Sequence, residues 1–448
     1  MNRSAWIVIA VSVALAGLAQ AEGFTVWPFL TNATSGSMDV CFQSDRELSA
    51  EVLYGPTADY SMSVPVQPVA FEATWGDYAL IEIFTTYEIV TRYSYCARLE
   101  GLEPDTLYHY AVRLGDQQTP DATLVTAPEP GAPFAFAVYG DSRSDYVYRM
   151  GVPNVFHQDV VERIQEFPLD FFLNTGDIVN DGHDMRLWEI SFGIVRPLAT
   201  LFPYFPTYGN HEDREQDGID GRDVFSHIFS NPSEGSGSET YYSFDYGNAH
   251  FAIVSTDDPF EPGADQDLWL RADLTTARAD PDIDWVFMAY HIPGLTSSFR
   301  WPNDDKEHLA REYLVPMAVE CGVDLVFTGH EHSYERSLKD GVTFIVTGTG
   351  GALPTFVGNS QYNPWSLFFE PNADFAHFGF CFVEIAGDYL TLESWLSDGT
   401  LIDAIELGNP PADDDDDAIG DDDSSPDDDD DAGEPGGEDD DDDGGCGC

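Results

Sequence analysis

The chain of 448 residues is long enough for two or three domains, and its 43% hydrophobic and 13% aromatic content excludes disorder for most of its length. A formal net charge of −62 excludes nucleic acid and anionic membrane surfaces as partners, because so acidic a surface repels phosphate. Lys306 and Lys339 are the two lysines, so arginine carries nearly all the positive charge.

Residues 1–21 read as an export signal. Arg3 supplies a positive start, Trp6 to Leu18 an apolar core, and Ala19-Gln20-Ala21 a small-residue cleavage site. The apolar stretch is too short to span a membrane comfortably. The expected location is therefore secreted, periplasmic or on the cell surface, without a direct membrane span. Residues 22–128 show short alternating runs such as SMDVCFQ, RYSYCARL and LYHYAVRL, separated by turn-rich segments. That pattern predicts an all-β sandwich. The segment Leu102 to Tyr110, a Pro-containing turn leading into Tyr108-x-Tyr110, resembles the corner of a fibronectin type III domain. Cys41 and Cys96 lie in strand-like runs of this module and could bridge neighbouring strands, while Cys321 and Cys381 could be buried free thiols.

A stiff linker with Pro128, Pro130, Gly131 and Pro133 leads into residues 129–408, where strand-like runs alternate with helical candidates near 153–166, 186–201, 265–279 and 305–321. The mixture predicts an α/β layered domain with antiparallel additions. Residues 409–448 hold 20 acidic residues, no Lys or Arg, and almost nothing apolar, so they should be disordered.

Five segments of the α/β region carry chemistry in a fixed order: Gly140-Asp141, Gly176-Asp177, Gly209-Asn210-His211-Glu212, His291 with Pro293, and Gly329-His330-Glu331-His332. Each follows an apolar strand-like run: PFAFAVY, DFFLNT, YFPTY, DWVFMAY or DLVFT. A Gly-Asp after a strand is most often only a turn, and His291 alone could be a core histidine. Five in order are hard to reconcile with coincidence. Carboxylate and amide oxygens mixed with imidazoles suit a pair of divalent or trivalent metals, and two such metals can clamp an in-line attack on phosphorus.

The motif order, and Gly329-His-Glu-His-Ser-Tyr-Glu-Arg336 in particular, resembles the calcineurin-like metallophosphoesterase superfamily and its purple acid phosphatase branch. The resemblance covers about residues 24–408 and implies a layered β-sandwich flanked by helices. It further implies that Asp141, Asp177 and His332 hold a first metal, with Asp177 bridging to a second completed by Asn210, His291 and His330. His211 would contact the phosphoryl group and protonate the leaving oxygen. The cofactor expected is two metal ions, iron paired with zinc, manganese or iron.

Two departures stand out. Purple acid phosphatases carry a tyrosine three residues after the second motif aspartate, where this chain has Asn180, and many broader relatives carry histidine two residues after the first, where it has Arg143. Arg143 could grip a substrate phosphate or be a salt-bridged loop arginine. Glu212 and Glu331 could orient the ligands or simply be solvated. The function expected is phosphomonoester hydrolysis of a small phosphorylated substrate. The alternatives are a phosphodiesterase or nucleotidase on the same site, or a surface binding protein with a degenerate one. The loops 213–238 and 294–303 would set specificity but follow no readable motif. The tail ends in Cys446-Gly-Cys448, and either it is a spacer to a surface attachment through those cysteines or a solubilising, weakly Ca²⁺-associating segment.

Overall fold

The computed structural model describes residues 23–78, 85–143, 153–298, 304–354, 361–370 and 377–410. The expected export signal at 1–21, the acidic tail beyond 410 with its terminal cysteines, and part of the 294–303 loop lie outside the described residues.

The N-terminal module is a β-sandwich. One sheet has strand order 24–31, 37–44, 86–100, 69–77, and the other 62–66, 50–55, 107–114, 117–118, with 122–125 also pairing 107–114. Cys41 and Cys96 sit directly opposite on adjacent strands and form a disulfide, whereas Cys321 and Cys381 are free thiols, the latter buried. The Tyr108 hydroxyl accepts from the backbone N–H of Glu103 at 3.0 Å, tying the corner back to the turn before it as sandwich domains commonly do.

The second region stacks two mixed sheets face to face. The first runs 204–206, 171–174, 134–139, 379–386, 389–396, 401–408; the second runs 242–246, 249–254, 285–290, 325–328, 342–347, 334–339, 366–370. Strands 134–139, 171–174 and 204–206 are parallel, as are 249–254, 285–290, 325–328 and 342–347. These central strands are buried on both faces, which is why they read as unbroken apolar runs. Phe134, Phe136 and Val138 face the other sheet, while Ala135, Ala137 and Tyr139 face helices. Between the sheets Phe136 stacks on Phe171 at 4.8 Å and meets Phe251 edge-on at 5.3 Å, a geometry that aromatic quadrupoles favour.

Helices Val155–Ile164, Met185–Ala199 and Gly221–Ile228 cover the first sheet, each capped by an Asn or Asp side chain. The third of these was not evident from the sequence. It is short, lies inside the 213–238 loop, and starts at Asp220, whose carboxylate accepts from Arg222 N at 2.9 Å. Asp265–Ala279 and the segment Asp305–Glu320 cover the second sheet. The latter is one continuous helical run with a π turn at Ala310–Leu314, just before Pro316.

The sandwich is not a detached module. Phe29 packs on Phe192 at 4.7 Å, Arg92 pairs with Glu189 at 3.0 Å, and Val26, Phe29, Phe71 and Ala73 share a core with the first sheet's helices. Strand 69–77 also reaches the second motif loop. Thr74 N donates to the His183 carbonyl at 2.8 Å, and Gly76 N donates to Asp184 at 3.2 Å.

Candidate metal centre

All five motif segments leave the carboxyl ends of parallel strands, where open α/β sheets place their sites. Asp141, Asp177 and His330 have φ of 56°, 55° and 66°, a left-handed conformation costly for residues with a Cβ. The loops are packed so tightly that they over-determine it. Gly176, at φ 98°, would place any Cβ 2.7 Å from His291 Nδ1, and a Cβ on Gly329 would lie 2.5 Å from Asp141 Oδ2. Backbone donors lock the carboxylates as well: His330 N donates to Asp141 Oδ2 at 2.8 Å and His211 N to Asp177 Oδ1 at 3.1 Å.

Glu212 is the hub of this arrangement. Fully buried, it accepts from Asp177 N (2.9 Å), Gly209 N (2.9 Å) and Val179 N (3.1 Å), joining the second and third motif loops. It therefore orients the ligand loops and is not solvated. Burial, reinforced by the Asp177 charge, pushes its pKa up to about 8. Glu331 is buried too.

The ring orientations show what the cluster requires. His291 Nδ1 donates to the Thr175 carbonyl at 2.8 Å, so in a neutral ring Nε2 is a lone pair. That lone pair points at Asp177 Oδ1 (3.1 Å) and Asn210 Oδ1 (3.2 Å), two further acceptors. His330 Nδ1 faces the same Asn210 oxygen at 3.0 Å, and its Nε2 lies 3.5 Å from Asp304. His332 Nδ1 donates to the Leu353 carbonyl, which aims Nε2 at Asp141 Oδ1, 3.3 Å away. Acceptors converging on acceptors in a buried site call for a cation, and this is the fit expected of a metal centre. Burial would lower the His291 pKa, yet the Asp177 and Asp141 carboxylates push it up to about 10. Burial would likewise raise Asp177, but the charges of His211, His291 and Arg143 hold it well below the usual carboxylate range. Among the described residues three sets of ligand atoms are close enough to share an ion, Asp177–His291–His330, Asp141–Asp177–His332 and Glu307–His330–Glu331, and the first two are made wholly of motif residues. Asn210 belongs with the first by its contacts.

His211 stands beside this cluster. Its Nδ1 donates to the Asn180 carbonyl at 2.7 Å, and its Nε2 is 3.6 Å from Asp177 Oδ2 and 3.4 Å from an Arg214 nitrogen. Burial, with the charges of Arg143 and His291, pushes its pKa down to about 4, against the pull of Asp177.

Arg143 is buried inside the centre. Its Nε donates to Asp177 Oδ2 (3.2 Å), one terminal nitrogen to Asn180 Oδ1 (3.1 Å), and the other lies 3.4 Å from His332 Nε2. The position where a tyrosine would sit is thus turned toward the arginine. Three contributors were not singled out from the sequence: the Thr175 carbonyl that aims His291, Asp304 beside His330, and Arg214 beside His211. Asp304 carried one available signal, an acidic pair at a helix start, where its side chain caps Lys306 N and Glu307 N.

Parallel strands delivering hard and borderline donors to one buried cluster define a metallophosphoesterase-type domain. Residues 151–334 match the calcineurin-like phosphoesterase family, and residues 28–126 match the purple acid phosphatase N-terminal domain. The chain thus carries a calcineurin-like phosphoesterase domain behind a purple acid phosphatase N-terminal domain, and purple acid phosphatases are among its relatives. It is 29% identical over 310 residues to purple acid phosphatase 18 of Arabidopsis thaliana, covering 64% of this chain and 67% of the relative. It is 31% identical over 267 residues to an uncharacterized protein of Mycobacterium tuberculosis, covering 54% of this chain and 50% of the relative. The chain thus spans between about half and two thirds of the length of these curated relatives. Among solved structures, the purple acid phosphatase from yellow lupin (Lupinus luteus) seeds shares the fold, with a TM-score of 0.72 at 20% identity, covering 86% of this chain and 74% of that one.

Among the described residues, no helix is long and apolar enough to cross a membrane.

Proposed function

We propose that this chain is an exported, metal-dependent phosphoesterase acting on small phosphomonoesters. The observation that carries the reading is the convergence of acceptor atoms from buried Asp141, Asp177, His291, His330 and His332 and half-buried Asn210, with His211 at its edge. The phosphatase names of several relatives favour monoesters, and the export signal at 1–21 supports an extracytoplasmic site of action.

Asp177, Asn210, His291 and His330 would hold one ion, and Asp141, Asp177 and His332 offer the second position. Ions bound there would supply Lewis acidity that neutralises charge developing on the phosphoryl oxygens and makes water at the centre more acidic. The chain's residues do the rest. Glu212 keeps the Asp177 and Asn210 loops in register. The ligands' burial excludes bulk water, so each charge acts at low dielectric. The Asn180 carbonyl fixes the His211 ring with Nε2 toward the centre. A phosphate dianion beside that ring favours its protonated form, and Nε2–H then delivers a proton to the leaving oxygen.

Hydrolysis of a phosphomonoester and of a bis-ester is to be compared before and after chelation, with metal content measured on the same samples. The expected result is preferential monoester hydrolysis that disappears on chelation and returns with metal. Full activity in metal-free protein would sink the reading, and a preference for bis-esters would reassign the substrate class.

A further inference from the structure

The two metal positions are unequal. At the Asn210–His291–His330 position, Asn210 Oδ1 faces His291 Nε2 at 3.2 Å and His330 Nδ1 at 3.0 Å. At the Asp141–Asp177–His332 position a cation is already present. The three polar corners of the Arg143 guanidinium meet Asp177 Oδ2, Asn180 Oδ1 and His332 Nε2, at 3.2, 3.1 and 3.4 Å. Two of these are ligand residues of that position, and the third stands where an additional ligand would be expected.

We propose that Arg143 supplies the positive charge of the Asp141–Asp177–His332 position, so that the chain binds one metal ion firmly, at Asp177, Asn210, His291 and His330, and a second only weakly, at the position Arg143 occupies. The inference rests on the metal-centre reading given above. Arginine remains charged even when buried, and its planar fork satisfies several acceptors at once. A second ion entering this position must break the guanidinium's contacts with Asp177 and His332. It must also sit beside a fixed positive charge in a buried, poorly screened site. Asp141, Asp177 and His332 remain close enough together to ligate once the guanidinium leaves. The second position is therefore weakened by Arg143 but not abolished.

The test is Zn²⁺ titration calorimetry on the chelator-treated full chain, with metal analysis of the protein as purified and a thermal unfolding check on each variant. Wild type should take one equivalent firmly and a second at least tenfold more weakly. Arg143→Ala removes the cation, and Arg143→His also adds a ring nitrogen. In both, the second equivalent should tighten at least tenfold while the first changes little. Two equivalents of matched affinity in wild type would overturn the inference, as would a second affinity unmoved by both substitutions. Failure of the parent reading looks different, because a chain without a metal centre would bind no zinc firmly in any of the three proteins.

Discussion

Glu212→Gln probes the link between fold and chemistry most directly. The substitution keeps the shape of the side chain and one of its two oxygens. Glu212 Oε2 receives Asp177 N and Gly209 N, and Oε1 receives Val179 N. A glutamine that keeps its oxygen in the Oε2 place sets its own NH₂ against the Val179 N–H, donor against donor. Leaving one buried donor unsatisfied costs about 1–3 kcal/mol, set against a total stability of about 5–15 kcal/mol. Glu212→Ala strands all three donors and should cost at least twice as much. The same perturbation loosens Asp177, which is held at φ 55°. A displacement of about 1 Å in a reacting constellation can cost about 100-fold in rate. Urea unfolding followed by tryptophan fluorescence, together with kcat on a phosphomonoester, reads both effects. A Glu212→Gln protein with wild-type midpoint and wild-type kcat would refute the idea that this carboxylate holds the two loops together.

His211→Ala should lower kcat by roughly 10²–10⁴, as expected for loss of a general acid, with metal content near that of wild type by elemental analysis. His250 is clamped between Asp245 (2.7 Å) and Asp273 (2.8 Å); burial would lower its pKa, but those hydrogen bonds push it up to about 9 from an ordinary 6.5. Because the folded value is raised, the stabilisation is complete below about pH 6.5 and lost as pH rises through about 9. It amounts to at most about 3 kcal/mol, less in practice because Asp245 is largely in water. Thermal unfolding from about pH 6 to 10 should show this decline in wild type and a flatter profile in Asp273→Asn. A fragment beginning at residue 129 should be insoluble or aggregate on expression, since it would expose the apolar surface that Val26, Phe29 and Phe71 cover; a soluble, cooperatively unfolding fragment would contradict the shared core. Iron-loaded protein should lack an intense visible charge-transfer band, because Asn180 stands where a phenolate would be needed, and an absorption spectrum decides the point.

Much of the site was legible because its signal is local. A strand buried on both faces must be an unbroken apolar run, and it must end where the chain turns polar. PFAFAVY, DFFLNT and DWVFMAY end that way, and the residues at their ends are Asp141, Asp177 and His291. The cysteines at 41 and 96 lay in recognisable strands, but their pairing depended on register, which only the folded sheet supplies. Helix 221–228 went unread because eight residues with a Gly start carry little periodic signal.

By itself the sequence determined most of the order of elements, the candidate ligand residues, and the absence of a tyrosine at position 180 and of a histidine at position 143. The tertiary structure decided what replaces them and how the cluster is held. Arg143 reaches Asn180 and His332 from far along the chain, Glu212 binds N–H groups more than thirty residues away, and Asp304 meets His330 across two loops. Such contacts are set by how the ends of separate strands are brought together in space. A hydrogen bond between distant residues leaves no periodicity or spacing in the sequence, so the fold had to be seen before the charge balance of the centre could be.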